Sequence, residues 1–347
     1  MWEGELTLDR IKGFLKHVVP PSTRMIDRRF ERAQEDNRAL SARVEELFDQ
    51  VGALRGELAV AQESLDAIRA SLYIDELGSA SRMPLDGTPD VVVSVASYGR
   101  RIKGIAPMLR SLGEQSVKPD RALLWLPAKD FPRGIRDVPA DVVCALHDSG
   151  IEVRWMEEDL GPHKKYFLTM QTFPDAIVIT LDDDIIYPGN LIENLLRAHE
   201  RWPREVVATR ARRIVIEDGD IKPYDTWELA DGSLLDVPCY SLVPTGVGGV
   251  LYPPRSLDAH VFDKEAILGT CLFGDDLWLK VMAVMAGTRV VVPRNAIFNL
   301  NYADGTQDVA LYKENIGLGK NDRQLSDILK YIGTFYPIKQ LTACMND

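Results

Sequence analysis

Apolar residues recur at alternating spacings of three and four from Phe30 to Leu72: Phe30, Ala33, Leu40, Val44, Leu47, Val51, Leu54, Leu58, Ala61, Leu65, Ile68 and Leu72, with Asn37 occupying one place in the series. This is a heptad seam of about six repeats with no proline to interrupt it, so a long helix is predicted over residues 25–75. A helix alone cannot bury such a seam. With Phe30 at position a, Val44 and Val51 also fall at a, Leu40, Leu47 and Leu54 at d, and Asn37 is a lone polar a residue. β-Branched a residues, leucine at d and one buried Asn favour a parallel two-stranded coil. The later a positions are leucines, which leaves a tetramer as the alternative homo-oligomer. Packing of the same helix on its own globular part is the competing expectation.

Residues 1–24 carry Trp2, Leu6, Leu8, Ile11, Phe14, Leu15, Val18 and Val19 before Pro20-Pro21, in partly helical spacing. They read as a short amphipathic segment that rests on a membrane surface or on the protein body. Residues 76–89 are rich in Gly, Ser and Pro and read as a linker.

From residue 90 to 347 the pattern changes to short apolar runs separated by helical stretches, the signature of a parallel α/β sheet. Strands are expected at Val91–Ala96, Ala122–Leu126, Val142–Ala145, Glu152–Trp155 and Ala176–Leu181, and helices at Ile102–Leu112 and Tyr166–Phe173. Ligands of such open sheets bind beyond the carboxyl ends of the strands. There the run Val178-Ile179-Thr180-Leu181 delivers Asp182-Asp183-Asp184, followed by Ile185-Ile186-Tyr187-Pro188. Three adjacent like charges are unfavourable unless a cation sits among them. A Mg²⁺ or Mn²⁺ ion bridging carboxylate to a nucleotide diphosphate is the expected reason to keep them. A solvated acidic turn is the bland alternative.

Other motifs fall in the same frame. Ser97-Tyr98-Gly99-Arg100-Arg101 offers hydroxyls, a ring for stacking on a base and guanidinium groups for a diphosphate. In Leu160-Gly161-Pro162-His163-Lys164-Lys165-Tyr166, Lys165 is the preferred phosphate contact; Lys164 reads as exposed, and His163 as either a surface residue or a ligand. Thr245-Gly246-Val247-Gly248-Gly249-Val250 permits close backbone approach to a bulky ligand, but it lacks the lysine and hydroxyl of a P-loop, so an ATPase is excluded. Phe273-Gly274-Asp275-Asp276-Leu277-Trp278 enters a helix, where a carboxylate can act as a base or cap the helix.

The chain has 347 residues, 46% of them apolar, and a net charge of −11. That balance argues against nucleic-acid binding. Cys144, Cys239, Cys271 and Cys344 are too scattered for a zinc site or a disulfide framework. No apolar run reaches the ~18 residues that span a bilayer, and no secretory signal is read at the N-terminus. A cytoplasmic protein is expected, with peripheral contact at the inner face of the cell membrane as the alternative.

The order of these motifs from Val91 to Leu325 resembles the GT-A fold glycosyltransferases, in particular the family 2-like bacterial sugar transferases of surface polysaccharide synthesis. The resemblance implies a Rossmann-like, mostly parallel sheet flanked by helices. It also implies inverting transfer of a sugar from a nucleotide-diphosphate sugar to a hydroxyl of a glycan or lipid-linked acceptor, in polysaccharide or cell-envelope synthesis. Asp276 would be the base, with Asp275 beside it. Ser97, Tyr98, Arg100, Arg101, Lys165, Asp182 and Asp183 would hold the nucleotide sugar, Asp184 and Asp182 the Mn²⁺ or Mg²⁺ ion, and Gly248, Gly249 and Trp278 would face donor or acceptor sugar.

Two departures stand out. Leu124-Trp125-Leu126-Pro127 occupies the place where the family often has a base-reading aspartate, and no histidine follows His260 to act as a late metal ligand. Asn321-Asp322-Arg323-Gln324 reads as a polar helix start, or as a segment closing over the ligands. A phosphatase is disfavoured, because the triplet is not on the first strand. A sugar nucleotidyltransferase and a catalytically inactive coiled-coil scaffold remain the alternatives.

Overall fold

The computed structural model describes residues 21–296, 298–303 and 319–346. The amphipathic segment expected over residues 1–24 therefore lies, through residue 20, outside the described residues. The chain divides into two compact units, Met1–Leu65 and Asp66–Asp347. One helix, α1, runs from Pro21 to Ala80, so the residues expected to begin the linker at 76 are still helical.

Within the first unit the seam is bare: Phe30, Leu40, Val44, Leu47, Val51, Leu54 and Leu58 are between 42% and 68% exposed. In the second unit the last turns of α1 use a different face. Ala70 and Leu77 are buried, with Tyr73 and Ile74 half-buried beside them. Arg69 pairs with Asp148 at 2.8 Å, and Tyr73 stacks on His147 at 3.6 Å between ring centroids. The docking residues Ala70, Tyr73, Ile74 and Leu77 fall at heptad positions b, c and f, whereas the seam residues Ile68 and Leu72 stay exposed.

The second unit is an α/β fold. Its strands are β1 (Val91–Ala96), β2 (Arg121–Pro127), β3 (Glu152–Met156), β4 (Ile177–Leu181), β5 (Val206–Ala208), β6 (Ala211–Arg213), β7 (Ile216–Glu217), β8 (Asp220–Ile221), β9 (Leu242–Pro244), β10 (Val250–Tyr252) and β11 (Val290–Val291). Seven of them form the main sheet, in the order β11-β5-β10-β4-β1-β2-β3. All its neighbours pair parallel except β10, which runs antiparallel to β4 and β5.

Both faces of the sheet are buried, as a mostly parallel sheet requires. Side chains alternate along each strand: Val92, Leu123, Trp125, Val206, Ala208, Val250 and Tyr252 enter one core, and Val93, Val95, Leu124, Leu126, Val207 and Leu251 the other. Helices α2 (Ala106–Gly113), α3 (Ala140–Ser149) and α5 (Leu191–Arg201) cover the second core. On the first face lie α4 (Phe167–Thr172), α6 (Lys264–Thr270), α7 (Asp275–Met285), α8 (Lys320–Ile332) and α9 (Ile338–Met345).

The mostly parallel sheet flanked by helices is the one expected. One element differs: Val142–Ala145, read as a strand, lies inside α3. A four-residue apolar run has no period that separates strand from buried helix. Here Gly150, at φ 65°, ends the helix in the left-handed conformation.

Candidate active site

Strand pairing assembles the site. In the parallel register Val95 faces Leu181, so the loop after β1 and the acidic triplet after β4 emerge at the same sheet edge. Strand β10 runs the other way, with Val250 opposite Thr180 and Ala208. The turn before β10 and the exit of β5 therefore come to that edge too. A cavity of about 630 Å³ opens there, lined by Ser97, Tyr98, Arg101, Lys165, Asp182, Asp183, Asp184, Asp275 and Asp276 among others.

Charge in the cavity is arranged in pairs. Arg101, 8% exposed, reaches Asp183 at 2.7 Å and Asp184 at 3.0 Å. Burial lowers the proton affinity of its guanidinium, but the neighbouring carboxylates outweigh this and raise it. Lys165 lies 2.8 Å from both Asp182 and Asp275. Burial opposes its charge, yet Asp182, Asp275 and Asp276 together hold the ammonium protonated well above the usual lysine range. Two basic side chains, Arg101 and Lys165, thus supply counter-charge to the triplet from within the chain.

Asp275 and Asp276 are neighbours with opposite electrostatics. Burial pushes Asp275 up, but the Lys165 ammonium, through its charge and its hydrogen bond, outweighs this and holds the carboxyl below the ordinary range. Asp276 is pushed up to about 8, by burial first and then by the charge of Asp275. Its two oxygens accept from the Gly246 N–H at 3.0 and 3.1 Å. Paired carboxyls driven apart in this way are a common signature of divided catalytic roles. Helix α7 is capped by Gly274 without any side-chain bond, so Asp275 is not its cap.

Other side chains sit differently from their sequence reading. Arg100 is exposed and outside the cavity lining, while Arg101 is inside it. Lys164 is buried and pairs with Asp159 at 2.5 Å. His163 is fully buried: its Nε2–H donates to the Cys271 carbonyl at 2.8 Å and its Nδ1 accepts from the Tyr166 hydroxyl at 2.8 Å. Burial lowers its pKa to about 4, so it is a neutral structural histidine. Trp278 is in the core, its Nε1–H donating to the Val261 carbonyl. A Cβ on Gly248 would come 2.3 Å from Thr209 Oγ1, and one on Gly249, at φ 90°, 2.8 Å from Leu181 Cδ2. Those two glycines serve packing and backbone geometry.

The glycine that meets the site is Gly246, where a Cβ would lie 2.8 Å from Lys165 Nζ and 3.1 Å from oxygens of both Asp182 and Asp276. Trp125, in the place of the base-reading aspartate, is buried and donates to Thr169 Oγ1 at 2.8 Å. Asp159, Arg210, Arg212, Tyr224, Tyr302 and Asn321 also line the cavity. Among these, only the Asn321 segment was legible in the sequence; the rest carry no local motif and are gathered by strand pairing.

Among the described residues no three His, Cys, Asp or Glu side chains converge on a cation position. The carboxylates of Asp182 and Asp184 are the hard oxygen donors that Mg²⁺ and Mn²⁺ take, and such ions commonly use one or two carboxylates and complete their shell with phosphate and water. The donor set therefore fits a divalent ion bound together with a phosphate-bearing ligand.

No family model matches the chain, and no curated protein matches it. Among solved structures it is similar to S. aureus TarS 1–349 in complex with UDP-GlcNAc, at 14% identity over 71% of this chain and 73% of that one, with a TM-score of 0.40. It is similar to the mannosyltransferase PcManGT from Pyrobaculum calidifontis in complex with GDP-Man and Mn²⁺, at 15% identity over 82% and 89% of the two chains and a TM-score of 0.39. A 4-diphosphocytidyl-2C-methyl-D-erythritol synthase gives 10% identity over 67% and 99%, with a TM-score of 0.37. At these identities and TM-scores no activity passes from those proteins to this chain.

Proposed function

We propose that the chain is a glycosyltransferase that moves a sugar from a nucleotide-diphosphate sugar to a hydroxyl of a glycan or lipid-linked acceptor, with inversion, in cell-envelope or polysaccharide synthesis. The observation that carries this reading is Asp276: a carboxyl pushed up to about 8 and fixed by the Gly246 N–H, in the same cavity as Lys165 and the triplet. Its deprotonated form takes the proton of the attacking hydroxyl. That oxygen bonds to the anomeric carbon as the bond to the diphosphate breaks on the opposite face. Lys165 and Arg101 stabilise the charge that develops on the leaving diphosphate, and Asp275 keeps Lys165 charged and in place. Tyr98 offers its ring to the base.

Asp184 and Asp182 would hold a Mg²⁺ or Mn²⁺ ion, which would add positive charge beside the diphosphate. The bare seam of α1 supports self-association through a coiled coil, with a dimer favoured. No helix among the described residues is long and apolar enough to cross a membrane; the proposal places the enzyme in the cytoplasm, where peripheral membrane contact through its first residues remains compatible. Replacing Asp184 with Ala tests the metal role: divalent-dependent transfer is expected to be lost, and unchanged turnover would remove Asp184 from the mechanism.

A further inference from the structure

Once the acidic side chains of the cavity are matched with their ion-pair partners, two arginines and one carboxyl, that of Asp276, are left over. Asp159 pairs with Lys164, Asp182 and Asp275 with Lys165, and Asp183 and Asp184 with Arg101. Arg210 and Arg212 form no ion pair with any described residue, although both line the same cavity. They flank Ala211, the first residue of β6, which is 1% exposed and points into the core, and both side chains reach the cavity instead.

Each guanidinium is held but not saturated. An Arg210 Nη donates to Thr245 Oγ1 at 3.1 Å. Arg212 donates to the Trp227 carbonyl and lies 5.5 Å from the centre of the Tyr224 ring. Of five N–H donors on each group, most make no hydrogen bond to another described residue. Burial and the mutual repulsion of the two arginines make the Arg210 charge less favourable than usual. A partly desolvated pair of like charges is the arrangement that an incoming anion relieves.

The ledge carrying the pair also carries the base. Arg210 accepts the Thr245 N–H at its carbonyl, 3.0 Å away, and the next residue, Gly246, is the one that binds Asp276. On the reading of Asp276 as the base, the group beside it is the acceptor. We infer that the acceptor carries an anionic group, a phosphate or a carboxylate, close to the attacked hydroxyl, and that Arg210 and Arg212 bind it. This rests on the proposed transferase activity and adds the chemical class of acceptor.

The test is calorimetry on the full chain and on Arg210→Gln, Arg212→Gln and Arg210→Lys, each checked for a wild-type melting profile. UDP and GDP probe the donor side. Glycerol 3-phosphate, glucuronate and neutral glycerol, added to protein saturated with whichever nucleotide binds, probe the acceptor side. Glycerol 3-phosphate or glucuronate is expected to bind wild type and to bind both Gln variants at least about tenfold more weakly, since a hydrogen bond to a charged group contributes roughly 1.5–3 kcal/mol. Arg210→Lys should retain part of that affinity, glycerol should not bind, and nucleotide affinity should be unchanged. Preference for the phosphate or for the carboxylate identifies the source of the charge.

Binding of neither anion, equal binding by wild type and Gln variants, or a matching loss of nucleotide affinity in the variants would overturn the inference. The last result would assign the pair to the donor. Failure of every nucleotide to bind wild type would instead overturn the transferase reading.

Discussion

At the scale of the residue, the proposed function turns on how Asp275 and Asp276 are made unlike. Lys165 is 2.8 Å from Asp275 and keeps it ionised, and that fixed charge helps raise Asp276. Asp276 works as a base only when deprotonated, so turnover in the wild type should rise with pH through about 8. In Asp276→Asn the residual rate should be independent of pH in that range and roughly 10²–10⁴-fold lower, the usual weight of a general base, with nucleotide affinity retained. A pH profile identical in both proteins would remove Asp276 from proton transfer. Lys165→Met leaves the buried Asp275 and the half-buried Asp182 without their partner. It should cost roughly 3–5 kcal/mol, as breaking a buried pair does, read in denaturant unfolding; a loss under ~1 kcal/mol would mean the pair is screened by solvent.

Lys280 makes a separate residue-scale prediction. It is 2% exposed, its Nζ has no hydrogen-bond partner among the described residues, and burial lowers its pKa to about 7. The unfolded chain therefore binds this proton more readily, from about pH 7 up to the ordinary lysine value of 10.5. Through this group stability should rise with pH across that window and be lowest below it. Lys280→Met should be more stable at pH 7 and lose that part of the slope; a destabilised Met variant would contradict the burial argument.

At the scale of the element, the site is a product of strand direction. The loop after β1 and the triplet were legible because a short apolar run ending in polar residues carries its own signal. Gly246 was visible only as one of several glycines, because what singles it out is the antiparallel entry of β10 against β4. Arg210 and Arg212 were not legible at all: a pair of arginines two apart is ordinary until the fold brings both to one cavity. The run at Val142–Ala145 was misread for a related reason, since four apolar residues fit either period.

Gly249 gives the element-scale test. It lies at φ 90°, and a Cβ there would press on Leu181 Cδ2, in the strand that delivers the triplet. Gly249→Ala should destabilise by roughly 1–3 kcal/mol, the usual strain of such a conformation, and lower activity with it. A wild-type melting temperature would show that the turn before β10 adapts.

At the scale of the whole molecule, α1 carries two distinct apolar faces. Its b, c and f positions near the end dock on the globular unit through Ala70, Tyr73, Ile74 and Leu77, while Ile68 and Leu72 of the seam remain exposed. The helix was legible from its heptad spacing, whereas the docking face was not, because it spans only two turns. Replacing Leu47 and Leu54 with Glu should convert the protein from a multiple of 38.9 kDa to a single chain in sedimentation. A wild-type protein already sedimenting at 38.9 kDa would leave the seam for another partner.

The central claim is that this cavity transfers a sugar with release of a nucleoside diphosphate. Its most direct test is mass spectrometric product analysis of wild type and Asp276→Asn incubated with UDP-, GDP-, CDP- and dTDP-sugars, glycan and lipid-linked acceptors, and Mg²⁺ or Mn²⁺, with a chelator control. Appearance of nucleoside diphosphate with a glycosylated acceptor in the wild type, and its loss in Asp276→Asn, is the predicted result. Formation of nucleotide sugar from sugar phosphate and nucleoside triphosphate in a parallel reaction, or no turnover of any donor, would contradict it.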